Sequence, residues 1–307
     1  MLIDPQGIAL DAWKKSISSG SASSPEQFVR AVQEARPGSS VFVDCTASEE
    51  IPRWYRGLLE RGISVVTPNK KGNSGSLEQY RALQNASGDN GAVFRYETNV
   101  GAALPVIHTI KSLMQCGDEI IRIEAVLSGT LSYIFNTFAS SNLPFSAIVR
   151  DAQSKGYTEP DPRDDLNGKD VARKILILAR EMGLAMELAD VQIEALLPAE
   201  CFSAPSIEQF FTALETLNVD FESKKQLAAA DNKKLCFVAT LDNGEARIAL
   251  TAVDRTHAMY GLSGSDNIVM FTTKRYNTTP LVIRGPGAGA EVTAGGVLAD
   301  IIQCFKS

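Results

Sequence analysis

The sequence has only two histidines among its 307 residues, too few for a zinc site built from several of them. Its five cysteines are scattered and form no C-x-x-C pair, which argues against a thiol redox motif and is typical of reduced cysteines in a cytoplasm. It also has no apolar run of the roughly 18 residues that a membrane-spanning helix needs, and no basic-then-apolar segment at its start. We therefore expect an intracellular, cytoplasmic protein.

The chain has little excess positive charge to offer an anionic partner. Its 36 acidic residues outnumber its 30 basic residues, for a net charge of −6. Such a chain is repelled by phosphate backbones and anionic lipids, so neither nucleic acid nor membrane is the expected main partner. We expect a small-molecule substrate, and two domains, because single hydrophobic cores stop growing near ~250–300 residues.

Residues 25–70 alternate between helical and strand patterns. A helix pattern at 25–36 precedes a Pro-Gly turn and a strand of the buried type at 40–47. A second helix pattern at 51–62 precedes a strand at 63–70. Strand, helix and strand with short links predict a βαβ unit in a parallel sheet, and therefore an α/β fold.

Ligands of such sheets bind beyond the carboxyl ends of the strands. Two segments should meet at that edge: Cys45, Thr46 and Ala47 after the first strand, and Pro68, Asn69 and Lys70 after the second. The position of Lys70 favours a ligand contact, although a solvated loop lysine would look the same in the sequence.

The rest of the chain predicts a second, α+β part. Ser128, Gly129 and Thr130 join a strand to a helix, where backbone N–H groups can bind an anion, although most such sites are simple caps. Residues 224–283 resemble further strands, with an Asp-Asn-Gly hairpin signal that predicts an antiparallel sheet. A glycine-rich loop at 284–289 then leads into a final helix.

The stretch "GYTEPDPRDDLNGKDVARKILILAREMG" places five carboxylates between positions 159 and 170. A calcium loop of the EF-hand type fits only in its middle, because Arg163 and Lys174 occupy the two end positions where the ion needs oxygen ligands. Asp161 and Asp164 are expected to cap the following helix or to pair with Arg163. The other carboxylates favour a site for a small molecule that carries a cation.

The helix within this stretch has a polar arc and a mixed stripe. Asn167 is expected to cap it, and Lys169, Arg173 and Arg180 share one arc, which we predict to be the solvent-exposed face. Asp170 and Lys174 are four residues apart beside apolar positions. They are either an ordinary surface ion pair or part of a partly buried site.

Six segments, in order along the chain, carry a resemblance to a known family: "DCTAS", "TPNKK", "ETNVGAALPVI", "LSGTLSYIFN", "GYTEPDPRDDLNGKDVARK" and "GPGAGAEVTAGGVLADI". They resemble homoserine dehydrogenases, above all the C-terminal half of bifunctional aspartokinase/homoserine dehydrogenases. The resemblance implies an NAD(P)-dependent oxidoreductase that interconverts L-homoserine and L-aspartate 4-semialdehyde for threonine, methionine and isoleucine biosynthesis. It also implies a homodimer and fusion to an aspartokinase.

Site residues follow from the same resemblance. Lys174 and Lys70 are the two candidate proton donors. The residues implied to bind substrate are Gly129, Thr130, Tyr157, Glu159, Asp165 and Asp170. Those implied to contact the cofactor are Cys45, Thr46, Ala47, Lys70, Gly156 and Gly287. A sodium site is implied at the Glu97 carboxylate and the backbone carbonyls of Val100, Ala102 and Leu104, because a hard ion takes oxygen ligands.

One part of the family pattern is absent from this sequence, the G-x-G-x-x-G turn that seats a dinucleotide pyrophosphate. We expect a truncated Rossmann-type domain formed by residues 1–96 and 285–307, and a substrate-binding and dimerisation domain formed by 97–284. The same gap predicts weak binding of dinucleotide, unless a loop such as 285–289 takes over the phosphates. Two functions then stay open: a dehydrogenase with weakened cofactor binding, and an oligomeric amino-acid-binding module without turnover.

Overall fold

The computed structural model describes residues 1–4, 6–35, 40–88 and 90–306. The Pro-Gly turn expected after the first predicted helix lies outside these residues. In the described part of the chain the strands form two separate sheets. Their bounds are β1 Ser40–Val43, β2 Ile63–Val66, β3 Phe94–Arg95, β4 Ile120–Val126, β5 Gln192–Ile193, β6 Lys233–Asp242, β7 Glu245–Asp254, β8 Asp266–Thr273 and β9 Leu281–Pro286.

The smaller sheet is parallel, in the order β1-β2-β3, with Val41 opposite Ser64 and Val65 opposite Phe94. A 3₁₀ turn and a short helix connect β1 to β2, so the predicted βαβ unit is confirmed. The prediction of a buried first strand was wrong in part. β1 is an outer strand of this sheet, and Val43 near its end is 39% exposed.

The larger sheet has the order β5-β7-β6-β4-β8-β9, and all its pairs except β5 with β7 are antiparallel. The predicted hairpin joins β6 to β7 through Asn243 and Gly244, both with positive φ. The prediction that strands begin at 224 was wrong. Residues 224–230 complete a helix, and the first strand after them starts at Lys233.

Helices pack against strands of both sheets. Their bounds are α1 Trp13–Ser18, α2 Pro25–Ala35, α3 Tyr55–Leu59, α4 Leu77–Ala86, α5 Val106–Gln115, α6 Gly129–Ser140, α7 Phe145–Ser154, α8 Arg163–Leu166, α9 Lys169–Glu181, α10 Ala199–Phe202, α11 Ile207–Thr216, α12 Asn218–Ala230 and α13 Ala290–Gln303. Helices α6, α9 and α12 pack on β6, whereas α13 returns to β2 in the smaller sheet.

One core cluster contains residues of both sheets, including Phe42 and Val65 from one sheet and Ile123 and Ile248 from the other. A second, smaller cluster, which includes Val126, Val238 and Met270, belongs to the larger sheet alone. Within the residues that the structure describes, no helix combines the length and the apolar character needed to cross a membrane.

Candidate functional site

A cleft of about 680 Å³ is lined by segments from both sheets. Most of the residues that the sequence assigned to substrate and cofactor line it together: Lys70, Gly129, Thr130, Gly156, Tyr157, Glu159, Asp165, Asp170, Lys174 and Gly287. The segments that carry them come from positions far apart in the chain. The fold therefore brings most of the predicted site residues into one space.

At the base of the cleft one carboxylate binds two ammonium groups. Asp170 Oδ2 lies 2.8 Å from Lys174 Nζ, and Asp170 Oδ1 lies 3.2 Å from Lys70 Nζ. Lys174 also donates to the carbonyl oxygen of Leu127 at 2.7 Å. The Lys174 side chain is only 11% exposed, so its ammonium group is buried and the pair is not an ordinary surface ion pair, whereas the Asp170 side chain is half-exposed at the cleft.

The charges of this cluster shift the pKa values of Asp170 and Lys70. Burial favours the neutral form of Asp170, but the ammonium groups of Lys174 and Lys70 outweigh it and hold the pKa of Asp170 below its ordinary range. Burial lowers the pKa of Lys70, Asp170 offsets part of this effect, and the charge of Lys174 adds to the lowering. With both lysines protonated, the cluster carries one surplus positive charge that suits an anionic group or a developing oxyanion.

Helix α9 carries both Asp170 and Lys174, and it begins directly after a glycine. Gly168, with φ of 72°, occupies the cap position, and the Asn167 side chain accepts the N–H of Lys169 at 2.8 Å. Asn167 thus bonds the first helical N–H as expected, but it is not the cap residue itself. A Cβ at Gly168 would lie 3.2 Å from the side chain of Ile193, and any L-residue there would be strained.

Asp161 and Arg163 form the predicted pair at the start of α8. The Arg163 guanidinium donates to both Asp161 oxygens within 3.0 Å, and it also reaches the carbonyl oxygen of Ala204. Asp164 lines the cleft instead. The prediction of a solvent-exposed face on α9 is confirmed for Lys169. It was wrong for Arg180, whose side chain is fully buried.

The acidic loop before α8 is held by Asp165. Its Oδ2 accepts the Glu159 N–H at 2.8 Å, and its Oδ1 lies 2.8 Å from Thr130 Oγ1. The same hydroxyl lies 2.6 Å from the Tyr157 carbonyl oxygen, and the Tyr157 ring stacks on Tyr133 at 4.3 Å between centroids. Burial raises the pKa of Asp165. Asp165 therefore shapes the loop that presents the exposed Glu159 carboxylate at the cleft.

The start of α6 forms another wall. The Ser128 hydroxyl caps the helix by accepting the Leu131 N–H at 3.2 Å, so the simple-cap interpretation applies to Ser128. Gly129 and Thr130 follow it along the cleft. A Cβ at Gly129 would lie 3.2 Å from the carbonyl oxygen of Ser265, a residue of the cleft that no sequence signal indicated.

The segments after β1 and β2 lie side by side, as predicted, through polar contacts. Asn69 donates to the buried carboxylate of Asp44 at 3.0 Å and to the carbonyl oxygen of Ser48 at 2.9 Å, and the Tyr55 hydroxyl also donates to Asp44. Cys45, Thr46 and Ala47 are exposed beside these hydrogen bonds and do not line the cleft. Sequence reasoning missed Asp44, although a polar residue at a strand end was an available signal.

Glycine backbones leave room for a flat ligand on two sides of the cleft. Gly156 and Gly289 both have positive φ, and no atom lies within 4 Å of the position that a Cβ would take. Gly287 differs, because a Cβ there would lie 2.2 Å from the Asn267 amide. Gly156 and Gly289 therefore present backbone without side chains to the cleft.

Glu97 lies in a 3₁₀ turn after β3, and its carboxylate contacts the start of α5 next to a second cavity. Its two oxygens accept the N–H groups of Ile107 and His108, each at 2.8 Å. Burial is the largest cause that raises the pKa of Glu97 to about 7, and the Asp300 carboxylate adds to it. Each carboxylate oxygen retains a lone pair, so these bonds are compatible with a cation. The loop from Glu97 to α5 contains the other three predicted sodium ligands: Val100, Ala102 and Leu104.

Sequence comparison matches the chain to two family models. The family described as "Homoserine dehydrogenase" matches residues 105–302, and the one described as "Homoserine dehydrogenase, NAD binding domain" matches residues 9–97. The resemblance read from the six segments is thereby confirmed.

Curated relatives are of two kinds. The "Bifunctional aspartokinase/homoserine dehydrogenase 1, chloroplastic" of Zea mays is 44% identical over 99% of this chain and 33% of its own length. The "Homoserine dehydrogenase" of Emericella nidulans is 44% identical over 95% of this chain and 82% of its own length. The chain thus spans about a third of the bifunctional relative and most of the separate enzyme.

Solved structures share the fold. A Candida auris protein of unknown function superposes with a TM-score of 0.91 at 37% identity, covering 97% of this chain and 85% of that one. A putative homoserine dehydrogenase from Archaeoglobus fulgidus superposes with a TM-score of 0.74 at 24% identity, covering 96% and 83%. The α/β architecture expected from the sequence is confirmed.

Proposed function

The chain belongs to the homoserine dehydrogenase family, and from this premise we propose that it interconverts L-homoserine and L-aspartate 4-semialdehyde with NAD or NADP. The observation that carries the proposal is the Asp170 carboxylate shared by Lys70 and Lys174 at the base of the cleft. Hydride transfer to an aldehyde creates an alkoxide, and a positioned ammonium group both stabilises and protonates it.

The substrate is a zwitterion, so it needs negative and positive partners in one cleft. We assign Glu159 and Asp170 to its polar groups, with Asp165 near the reacting end. Gly129, Thr130 and Tyr157 complete this pocket. The assignment is supported by the exposed Glu159 carboxylate at the cleft and by the surplus positive charge around Asp170.

In the direction of reduction, bound NADH or NADPH supplies the hydride to the aldehyde carbon. The carbonyl oxygen becomes an alkoxide and takes a proton from a lysine ammonium; oxidation of homoserine runs the same steps in reverse. Lys174 is our proton donor, because Asp170 and the Leu127 carbonyl orient its ammonium group. Lys70 stabilises the developing charge, and its lowered pKa makes it the alternative donor.

The cofactor is proposed to lie along the edge where the parallel strands end. Cys45, Thr46 and Ala47 would contact it at the exposed end of β1, and Lys70, Gly156 and Gly287 would contact it nearer the cleft. The open backbones of Gly156 and Gly289 support this placement.

We further propose that the chain divides into a cofactor domain, residues 1–96 and 285–307, and a substrate domain, residues 97–284. The return of α13 to β2 supports it.

A sodium ion is proposed at Glu97 and the carbonyls of Val100, Ala102 and Leu104. The ion would neutralise a carboxylate whose pKa burial raises to about 7, and it would brace the loop that leads into α5.

We also propose a homodimer, the commonest symmetric assembly. β9 is an outer strand of the larger sheet, and its Val282 is 42% exposed, which supports pairing with a second copy.

Fusion to an aspartokinase is a feature of the maize relative by its name, and we propose the same arrangement for this chain. The alternative of an amino-acid-binding module without turnover is not favoured, because the NAD-binding family model matches residues 9–97.

The test is an absorbance assay of dinucleotide reduction with a panel of amino acids. We expect turnover with L-homoserine and none with L-threonine or L-aspartate, which lack the primary alcohol at the reacting carbon. Calorimetry of homoserine binding accompanies it. Binding without turnover by NAD or NADP would support the module and would contradict the dehydrogenase.

A further inference from the structure

The last turn of α9 carries two buried charges of opposite sign, Arg180 and Glu181. Their side chains are 0% and 3% exposed. Neither lines the cleft, and the chemistry at Asp170 does not use them. Because burying an ionised group costs several kcal/mol unless its partners compensate, what each of them binds is informative.

Arg180 binds backbone carbonyls of two other segments. Its Nη1 donates to the carbonyl oxygens of Asn73 at 2.7 Å and Gly75 at 2.9 Å, and its Nε donates to that of Met186 at 3.0 Å. Its Nη2 donates to Glu187 Oε2 at 3.0 Å. A planar guanidinium with a fixed fan of donors suits such a set of acceptors, which a single ammonium group could not span.

The bonds to Asn73 and Gly75 fall on the loop that carries Lys70. That loop folds back on itself, since the Ser74 N–H donates to the Lys70 carbonyl oxygen at 2.8 Å. It ends where the Ser76 side chain caps α4. Arg180 therefore binds the loop three and five residues after Lys70 and leaves little freedom between the two points.

The helix supplies the other fixed point. Arg180 follows Lys174 by six residues, about 9 Å along a rigid helix at 1.5 Å per residue. The loop thus contacts α9 at two places: Lys70 meets Asp170 near its start, and Asn73 with Gly75 meets Arg180 at its end. These two attachments fix the loop's register along the helix. The loop is also bonded to Asn99, which accepts the Asn73 amide at 2.9 Å, but that bond does not involve α9.

We propose that Arg180 is a positioning residue that holds Lys70 against Asp170, and so sets the spacing of the two lysines in the active cleft. It contacts neither substrate nor cofactor. The effect on catalysis rests on the proposed function, whereas the effect on the position of Lys70 does not.

Glu181 offers a matched control on the same turn. Its carboxylate accepts the hydroxyls of Tyr96 at 2.8 Å and Tyr80 at 3.2 Å, and Lys111 Nζ lies 3.4 Å away. These partners belong to α4, α5 and the end of β3, not to the loop of residues 70–75. Glu181→Gln retains an acceptor for both tyrosines and should lower stability without moving Lys70.

The test compares Arg180→Lys, Arg180→Met and Glu181→Gln in two measurements. The first is amine acetylation by an N-hydroxysuccinimide ester, with the rates at Lys70 and Lys174 read by peptide mass spectrometry. Freed from its fixed loop, Lys70 should react about fivefold faster or more in both Arg180 variants, while Lys174 changes less than about twofold. Glu181→Gln should leave both rates as they are.

The second measurement is steady-state kinetics. Misplacing a catalytic group by about 1 Å can cost on the order of 10²-fold, so we expect kcat to fall by about that factor in Arg180→Lys with a smaller change in KM. A structural role alone would lower kcat only in proportion to the folded fraction, which a melting curve supplies.

An unchanged Lys70 rate in folded Arg180→Lys would overturn the proposal, as would an equal rise in Glu181→Gln. If Arg180→Met does not fold, the lysine variant decides. If the wild-type chain shows no turnover, the proposed function fails while the acetylation rates still test the contact between Arg180 and the Lys70 loop.

Discussion

Lys70 and Lys174 bind opposite oxygens of the Asp170 carboxylate, although one lysine follows a parallel strand and the other lies within a helix more than a hundred positions later. This arrangement joins the loop after β2 to helix α9 within the cleft. Burial lowers the pKa of Lys70, and the charge of Lys174 adds to the lowering.

Replacing the lysines separates proton transfer from binding. Lys174→Met and Lys70→Met should each lower kcat by about 10²–10⁴-fold with a modest change in KM, and Lys174 should show the larger loss. Methionine keeps the packing of the aliphatic stem, and a melting curve checks the fold. The exposed Lys169 provides Lys169→Met as a control with near-normal rates. Near-normal kcat in folded Lys174→Met would transfer the role of donor to Lys70.

Asp170→Asn should change how stability depends on pH. Because the folded-state pKa of Asp170 is depressed, its carboxylate contributes stability above its unfolded pKa, and that contribution is lost as pH falls. The melting temperature of the wild-type protein should therefore drop more steeply than that of Asp170→Asn from about pH 5 to about pH 3. If the melting temperatures of the two proteins fell equally steeply over this acid range, the lysines would not be depressing the pKa of Asp170.

Glu97 should make stability depend on pH in the direction opposite to that of Asp170. Its folded pKa of about 7 lies above its unfolded value, so its contribution is full below the unfolded pKa and is lost as pH rises through about 7. We expect melting temperature to fall between about pH 5 and about pH 8, and Glu97→Gln to flatten that slope. Sodium, compared with tetramethylammonium at equal ionic strength, should stabilise the wild type at the higher pH. Equal effects of both salts would contradict the sodium site.

Two glycines near the end of the chain should respond in opposite ways to alanine. Gly287→Ala would place a Cβ 2.2 Å from the Asn267 amide, so the loop must shift, and we expect a loss of about 2 kcal/mol or more together with a raised KM for cofactor. Gly295 lies within α13 with open space around it. Gly295→Ala should be neutral or stabilising by about 0.5–1 kcal/mol in chemical denaturation. Equal stability of the two variants would contradict the close approach of Gly287 to the Asn267 amide.

Local patterns predicted the parts of the site that are close in sequence. The four-residue spacing of Asp170 and Lys174 gave their ion pair, and the strand end gave the position of Lys70. Spacing could not show that both lysines bind the same carboxylate, because that depends on how the two sheets pack. Ser265 had no signal at all, since only its packing against Gly129 brings it to the cleft.

The error at Arg180 has the same origin. Helical periodicity placed it on the arc of Lys169 and Arg173, and that arc is exposed at its start. At the other end, the segments containing Gly75 and Met186 cover the helix and supply carbonyl acceptors. Periodicity describes one helix, whereas burial depends on its neighbours.

The most direct test of the account follows the hydride itself. Wild-type protein is incubated with NADP⁺ and L-homoserine that carries deuterium at the alcohol carbon, and the reduced dinucleotide is analysed by mass spectrometry. We predict one deuterium in the nicotinamide ring of each NADPH formed, and severe loss of the labelled product with Lys174→Met. Reduced dinucleotide without deuterium, or none with either NADP⁺ or NAD⁺, would contradict it.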